Sequence, residues 1–339
     1  PLRRQISPNQ PMWLIHIDTW NWADPQKVID MIPKDIRPYV VMNISLSISH
    51  DSNTGVMNIC PYGYETARAW LRTCAENKMW ATVQCASGGF SHFSETDLRV
   101  YQEFFRDYPN FLGWNYAEQF WGFDDKFSCS YPQRLAHFTE LMKLADKYGG
   151  YLIVSFCGEM YGSSLNPVAM MKRDANFAAV CKEHPEHLIL CEKYTQESCF
   201  YDMESVCFGS FISGVNGNYG IRFDQCGRVK EDSTEDKFPE AAGAAPVFNN
   251  MMLNGGTVTD GPELIWQQCF KENNTGTTSD GYTTRRWSTY PQFDNISIDM
   301  FRKILDKTVR IPSREEVIKR TKVAIVDNVN SGTDNWTDY

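Results

Sequence analysis

The sequence predicts an α/β fold, a (β/α)8 barrel of the TIM type. Three observations lead to this prediction. Eight apolar runs of strand length alternate with segments of helical periodicity along the 339 residues. The runs are apolar on both faces, as in parallel strands that are covered by helices. The first run is followed by DTWNWADP, which lacks the Gly-rich phosphate turn of a nucleotide-binding doubly wound sheet, the structural alternative.

Each predicted strand is a short apolar run that ends in polar or turn-forming residues. Proline and glycine mark the boundaries: Asp24 followed by Pro25 starts a helix, and Gly149 with Gly150 ends one. The predicted strands are Met12–Asp18, Tyr39–Leu46, Met79–Ser87, Phe111–Trp114, Tyr151–Phe156, His187–Thr195, Gly209–Val215 and Gly256–Trp266. The predicted helices are Pro25–Met31, Tyr64–Asn77, Ser94–Tyr108, Pro132–Tyr148, Asn166–Glu183, Phe238–Leu253, Phe301–Leu305 and Glu315–Arg320.

The chain divides into a barrel and a short C-terminal segment. We assign residues 1–322 to the barrel. Residues 323–339 begin with VAIVDNV, which resembles another strand, and we expect them to start a C-terminal extension or a truncated β module. The sequence begins with Pro1 and not with an initiator Met, so we expect that a signal peptide has been removed.

Composition excludes two classes of partner. The net charge of -9 and the absence of a basic block argue against nucleic acid, which binds through clustered Lys and Arg. No apolar run approaches the roughly 20 residues that span a bilayer. Aromatic residues make up 14% of the chain, which suits stacking on sugar rings as well as a large core.

The cysteines indicate neither disulfides nor a metal site. Eleven is an odd number, and no Cys and His cluster has the spacing of a zinc site. Cys85, Cys157 and Cys191 end apolar runs, where a free Cys behaves as a small buried hydrophobic residue. We therefore expect no metal and no cofactor.

The stretch Phe111–Trp121, FLGWNYAEQFW, passes from an apolar strand to a carboxylate among aromatic residues. Tyr116, Phe120 and Trp121 would remove water from the charged form of Glu118 and raise the pKa of its carboxyl. Such a group can act as a general acid. A carboxylate at the start of a helix is an equally open interpretation.

Acidic residues lie at the ends of several predicted strands, which meet at one face of a barrel. These residues are Asp18, Glu118, Glu159, Glu192, Asp224, Asp260 and Glu263. We interpret His16, inside the first strand, as a hydrogen-bonded interior residue. Carboxylates with aromatic residues suit glycoside hydrolysis, which needs one protonated carboxyl and a second carboxylate as nucleophile or base.

The chain resembles the catalytic domain of glycoside hydrolase family 98. The resemblance is carried by HIDTWNWADP (His16–Pro25), FLGWNYAEQFW (Phe111–Trp121), YGGYLIVSF (Tyr148–Phe156), EKYT (Glu192–Thr195), YGIRFD (Tyr219–Asp224), DGPELIW (Asp260–Trp266) and IPSREEV (Ile311–Val317). It implies a secreted or cell-surface bacterial enzyme that inverts the anomeric centre and carries further carbohydrate-binding or β-sandwich modules. It implies an endo-β-1,4-galactosidase that releases blood-group A and B oligosaccharides, with an endo-β-1,4-xylanase or a non-catalytic glycan-binding barrel as alternatives.

The resemblance also implies catalytic roles. Glu118 would be the general acid, and Asp224 and Glu263 would share the activation of water. Asp260 or Glu192 could exchange roles with Asp224. Two simpler interpretations stay open: Asp224 as an ion-pair partner of Arg222, and Glu263 as a helix-start carboxylate.

Substrate contacts are expected from aromatic and polar residues near the strand ends. The candidates for stacking on sugar rings are Trp20, Trp22, Trp121, Tyr194 and Tyr219. The candidates for hydrogen bonds to hydroxyl groups are Asn43, Gln84, Asn115, Glu192 and Lys193.

Overall fold

The computed structural model describes most of the barrel. The described residues are 1–19, 23–51, 53–58, 62–87, 98–119, 129–156, 171, 173–193, 202–222, 249–263, 275–277, 283–285 and 293–322. The strands are β1 (Met12–Asp18), β2 (Val40–His50), β3 (Met57–Asn58), β4 (Trp80–Ser87), β5 (Phe111–Gln119), β6 (Tyr151–Phe156), β7 (Leu188–Lys193), β8 (Asn218–Arg222), β9 (Val258–Glu263), β10 (Thr275–Thr277) and β11 (Thr283–Arg285).

Eight of these strands close into a parallel barrel, which confirms the predicted fold class. Their order is β1-β9-β8-β7-β6-β5-β4-β2, and β1 pairs with β2 to complete the ring. The short strand β3 adds antiparallel to β2, and β10 pairs with β11 in a separate hairpin. All eight carboxyl ends therefore lie at one rim of the barrel.

The helices alternate with the strands, and their ends follow the sequence signals. They are α1 (Pro25–Met31), α2 (Gly63–Glu76), α3 (Leu98–Asp107), α4 (Tyr131–Tyr148), α5 (Ala175–Glu183), α6 (Asp202–Ser213), α7 (Asp299–Leu305) and α8 (Arg314–Arg320). Asp24 caps α1 by accepting from two backbone N–H groups, and Gly149 ends α4 in the left-handed conformation. In the part of the chain that the structure describes, no helix is both long and apolar enough to cross a bilayer.

The predicted seventh strand, Gly209–Val215, is wrong. Most of it belongs to α6, and the strand of this unit is β8. Among the described side chains of α6, Cys207 and Phe211 are buried in the core, and they are four positions apart, as expected for a buried helix face. A short apolar run does not by itself distinguish a buried strand from a buried helix.

Two further predictions fall partly or wholly outside the described residues and stay predictions. The strand-like segment 323–329 lies outside the described residues, so the division at residue 322 is untested. Of the predicted helix Phe238–Leu253, only residues 249–253 are described, and they are helical.

Most of the hydrophobic core fills the layer between the barrel and the helices. Trp13, Trp70 and Trp114 are fully buried there. Cys85 is buried and free in this layer, and Cys191 is buried and free inside the barrel, as predicted. Burial raises the pKa of the Cys85 thiol to about 12, so it is uncharged. Cys157 lies outside the described residues.

Candidate functional site

The interior of the barrel has two layers. The layer toward the amino ends of the strands is apolar and includes Met12, Leu14, Val41, Leu112, Tyr151, Ile153, Ile189, Cys191 and Val258. Nearer the rim, the buried residues are polar: His16, Asn43, Thr82, Gln84, Asn115, Ser155, Arg222 and Asp260. Burial of a polar group costs free energy unless the group is paired. A polar layer inside the barrel, directly below the rim, therefore indicates that the rim holds a functional site.

Asn43 connects one side of the polar layer. Its amide Nδ2 lies 3.2 Å from His16 Nδ1 and donates to Gln84 Oε1 at 3.3 Å, while its Oδ1 accepts from Thr82 Oγ1 at 3.0 Å. His16 Nε2 faces Asp18 at 3.4 Å. His16 is therefore a hydrogen-bonded interior residue, as predicted. Both amide atoms of Asn43 already have protein partners, which makes it a support for its neighbours.

A buried ion pair connects the other side. Arg222 Nη1 donates to Asp260 Oδ2 at 3.0 Å and to Gln84 Oε1 at 2.8 Å, and both charged side chains are at most 4% exposed. Asn115 Nδ2 donates to the same Oδ2 atom at 2.9 Å. Because β5 and β9 are four strands apart in a ring of eight, the contact between Asn115 and Asp260 crosses the barrel.

Several acceptor atoms of this layer have no partner among the described residues. Asp260 Oδ1, Asn115 Oδ1 and Ser155 Oγ are buried and make no hydrogen bond. Burial, with a smaller contribution from Asp260, raises the pKa of Cys191 well above its ordinary value. The thiol thus stays neutral, and Arg222 is the charge that balances Asp260.

Three of the predicted site carboxylates have a described backbone position at or near the rim. Glu118 is the penultimate residue of β5, Glu192 is the penultimate residue of β7, and Glu263 is the last residue of β9. The backbone of Glu263 pairs with His16 after a register shift in β9. Glu118 and Glu263 therefore end strands on opposite sides of the ring.

Other predicted site residues lie outside the described part of the chain. They are Trp20, Trp22, Trp121, Tyr194 and Asp224. Asp224 follows the last residue of β8, Arg222, by two positions. Lys193 is the last residue of β7, and only its backbone is described.

Tyr219 does not face the interior of the barrel, which corrects the sugar-stacking role predicted for it. Its ring is fully buried against Phe211, with centroids 5.0 Å apart, and its hydroxyl donates to the carbonyl of Met251 at 3.0 Å. A ring enclosed by the helix layer has no free face for a sugar.

Tyr116 also faces the helix layer, where it is fully buried, which corrects the prediction that its ring removes water from around Glu118. Its hydroxyl lies 2.8 Å from that of Tyr101 and 2.6 Å from His137 Nε2. Burial lowers the pKa of His137 well below its ordinary value, and the neighbouring Arg134 adds to this effect.

The sequence analysis missed Thr82, Ser155 and the interior position of Arg222. A signal was present, because polar residues at alternate positions in apolar strands, such as Thr82 and Gln84, point to one face of the strand. The side to which that face turns depends on register, which the sequence does not give.

Comparison with known proteins decides the family. The sequence matches the family model described as glycosyl hydrolase family 98 over residues 1–312. The chain belongs to glycosyl hydrolase family 98. No curated protein matches the sequence.

Solved structures agree with this family 98 assignment. The catalytic module of a family 98 glycoside hydrolase from Streptococcus pneumoniae TIGR4, in its native form, superposes with a TM-score of 0.69 at 19% identity over 95% of this chain and 56% of that chain. The same module gives 0.70 at 19% identity in complex with the H-disaccharide blood group antigen, and 0.68 at 18% with the LewisY pentasaccharide, with the same coverage. This chain thus spans 56% of the length of those chains. At this identity the likeness shows the shared fold.

Proposed function

We propose that this family 98 chain is an inverting endo-β-1,4-galactosidase. It hydrolyses the internal Gal-β-1,4-GlcNAc bond of blood-group A and B glycans and releases the antigen oligosaccharide. It acts outside a bacterial cell, secreted or attached to the surface, in a longer protein with further carbohydrate-binding or β-sandwich modules. No cofactor takes part.

The observation that supports this proposal best is the placement of acidic residues on opposite strands of the rim. Glu118 is the penultimate residue of β5, and Glu263 is the last residue of β9, four strands away. An inverting glycosidase needs an acid and a base on opposite sides of the scissile bond, about 6.5–9.5 Å apart, with water between base and sugar. Glu118 is the proposed general acid, and Glu263 and Asp224 together activate the water.

The polar layer supports this division of roles. Asp260 is fully buried and already accepts from Arg222 and Asn115, so it suits a structural carboxylate better than a base that must meet water. Arg222 and Asp260 lie two and three residues before Asp224 and Glu263, respectively. Their ion pair joins Arg222 at the end of β8 to Asp260 within β9, and in the proposed mechanism it holds the two water-activating residues at a fixed spacing.

Blood-group glycans are the proposed substrate class because the Streptococcus pneumoniae module has been solved with H-disaccharide and LewisY ligands. The test is product analysis after incubation with lactosamine capped by the A or B trisaccharide, with H-type and LewisY glycans, and with glucuronoarabinoxylan. Release of the A or B oligosaccharide is expected. Xylan cleavage alone would assign an endo-xylanase, and binding without cleavage of any glycan would assign a non-catalytic barrel.

The stereochemical outcome tests the mechanism separately. Proton NMR during hydrolysis of the β-linkage should show the α-anomer of the new reducing galactose first, because direct attack by water inverts the centre. A β-anomer that appears first would require a covalent glycosyl-enzyme and would contradict inversion.

A further inference from the structure

At the opposite end of the barrel from the rim, α4 and the turn before β7 bring two histidines and a carboxylate together. His184 Nδ1 lies 3.5 Å from Asp146 Oδ1, and His187 Nε2 lies 3.6 Å from the same oxygen. One ligand atom from each of the three residues lies within 4.8 Å of the other two. In the described part of the chain, no other group of three His, Cys, Asp or Glu residues is so arranged.

Local structure orients both imidazole rings. His184 caps a 3-10 turn, Pro185–His187, in which residues three apart lie on the same side. His187 is 5% exposed, and its Nδ1 donates to the carbonyl of Gly150 at 2.6 Å. That bond leaves Nε2 as the nitrogen that faces Asp146. Metal-binding histidines are commonly held by such a bond from the second ring nitrogen to a backbone carbonyl.

The distances in this cluster suit a shared cation better than direct hydrogen bonds. His187 Nε2 makes no hydrogen bond within the described residues, and separations of 3.5 and 3.6 Å exceed those of good N–H···O bonds. Nitrogen and oxygen ligands about 2.0–2.1 Å from one tetrahedral zinc ion lie about 3.3–3.4 Å from each other. Small movements of the side chains of Asp146 and His184, which are 48% and 24% exposed, would therefore complete the geometry.

The surrounding charge is negative. Glu186 Oε1 lies 3.6 Å from His187 Nε2, and Glu183 Oε1 lies 3.8 Å from His184 Nε2. With Asp146, three carboxylates thus border two imidazoles. A divalent ion between the imidazole nitrogens and these carboxylates would offset the negative charge.

The cluster is open to solvent from one side. A groove of about 450 Å³ between α4 and α5 reaches His184. Thr139 and Glu140 line it on α4, and Asn176 and Ala179 line it on α5. An ion in solution therefore has a path to the cluster.

We propose that Asp146, His184 and His187 form a binding site for a divalent transition-metal ion of the zinc type. Mixed imidazole and carboxylate ligands suit zinc, whereas Mg²⁺ and Ca²⁺ prefer oxygen ligands alone. The ion joins the end of α4 to the start of β7 and stabilises the folded state. The site lies at the end of the barrel opposite the catalytic rim, and residues at that end serve stability. It revises the expectation that the chain binds no metal.

The test is calorimetric titration of the chelator-treated protein with ZnCl2, accompanied by thermal unfolding. We expect one zinc ion per chain, a higher unfolding temperature with zinc, and no such rise with MgCl2. Asp146→Asn and His184→Ala change side chains that are at least partly exposed, and each should weaken zinc binding by at least ~10-fold. Glu140→Gln, in the same groove but outside the cluster, is the matched control and should bind as the wild type does.

Two results would overturn the proposal. One is the absence of zinc binding by the wild-type protein, which would leave the cluster as protonated imidazoles paired with carboxylates. The other is wild-type affinity in both Asp146→Asn and His184→Ala, which would assign the ion to other residues. Circular dichroism without metal shows that each variant is folded, so a weaker signal reports the site itself.

Discussion

Asn115 and Asp260 meet inside the barrel although their strands stand on opposite sides of it. The amide Nδ2 of Asn115 donates to Oδ2 of Asp260 at 2.9 Å, and Arg222 donates to the same oxygen at 3.0 Å. Glu118 follows Asn115 by three residues, and Glu263 follows Asp260 by three. A buried contact therefore ties together the two strands that end in the proposed acid and base.

Removal of the charge on Asp260 should destabilise the barrel strongly. Asp260→Asn keeps the shape of the side chain but removes the buried negative charge that pairs with the guanidinium of Arg222. We expect the free energy of unfolding to fall by ~3–5 kcal/mol, which urea denaturation measures.

An exposed ion pair provides the control for this experiment. Arg302 donates to Asp35 at 2.9 Å, and both side chains are about half exposed, at 53% and 51%. The hydrogen bond from Arg302 lowers the pKa of Asp35, but solvent screens the pair. Asp35→Asn should hardly change the urea midpoint. Equal losses in the two variants would contradict the role of burial.

Two glycine substitutions should act in opposite directions. A Cβ at Gly220 would lie 1.7 Å from the carbonyl oxygen of Val258, so Gly220→Ala must separate β8 from β9, with a loss of at least ~1–3 kcal/mol. Gly209, within α6, has open space around it, and Gly209→Ala should stabilise by ~0.5–1 kcal/mol. Thermal unfolding compares the two. A stabilised Gly220→Ala variant would show that the strands are not so close.

The region around Gly209 shows where prediction of the fold from the sequence succeeded less well than elsewhere. Strands β1 and β6 were predicted to the residue, because β1 is an apolar run that starts after Pro11 and ends at Asp18, and β6 is an apolar run that starts directly after Gly149 and Gly150. Gly209–Val215 was misassigned because a buried helix can also be apolar on most sides, and its core contacts come from the tertiary fold.

The sequence predicted the types of residue in the interior polar layer better than it predicted their positions. Asn43, Gln84 and Asn115 were selected as polar residues in apolar strands, and the structure joins them in one network. The role predicted for Tyr219 was wrong because the seventh strand was expected at Gly209–Val215, whereas Tyr219 lies inside β8 with its side chain buried against the helix layer. The pairing of Asn115 with Asp260 spans 145 positions, and only closure of the barrel brings them together.

Stability should depend on pH through His137. Burial lowers the pKa of His137 in the folded state, whereas in the unfolded chain it is about 6.5. Below that pH the unfolded state binds a proton that the folded state does not. The contribution of His137 to the free energy of unfolding is therefore fully present above about pH 6.5. Below that pH it falls by up to ~1.4 kcal/mol per pH unit, until the pKa of His137 in the folded state is reached.

A variant isolates this contribution from other titrating groups. His137→Gln keeps an acceptor for the hydroxyl of Tyr116 but does not titrate. Urea denaturation at pH 7.5 and 5.5 should show a smaller loss of stability in His137→Gln than in the wild type. Equal losses in both proteins would mean that His137 is protonated in the folded state.

The role of Glu118 can be separated from its contribution to binding. As a general acid, Glu118 protonates the departing sugar oxygen, so Glu118→Gln should bind glycan normally but lose about 10²–10⁴-fold in kcat on the natural linkage. A 2,4-dinitrophenyl glycoside has a leaving group that needs no proton, and the variant should cleave it at close to the wild-type rate. The control is Glu140→Gln on the outer surface of α4, which should cleave both substrates normally. Equal losses on both substrates would instead make Glu118 the base, because activation of water is needed whatever the leaving group. Full activity on the natural glycan would remove Glu118 from the chemistry and transfer the acid role to another carboxylate of the rim.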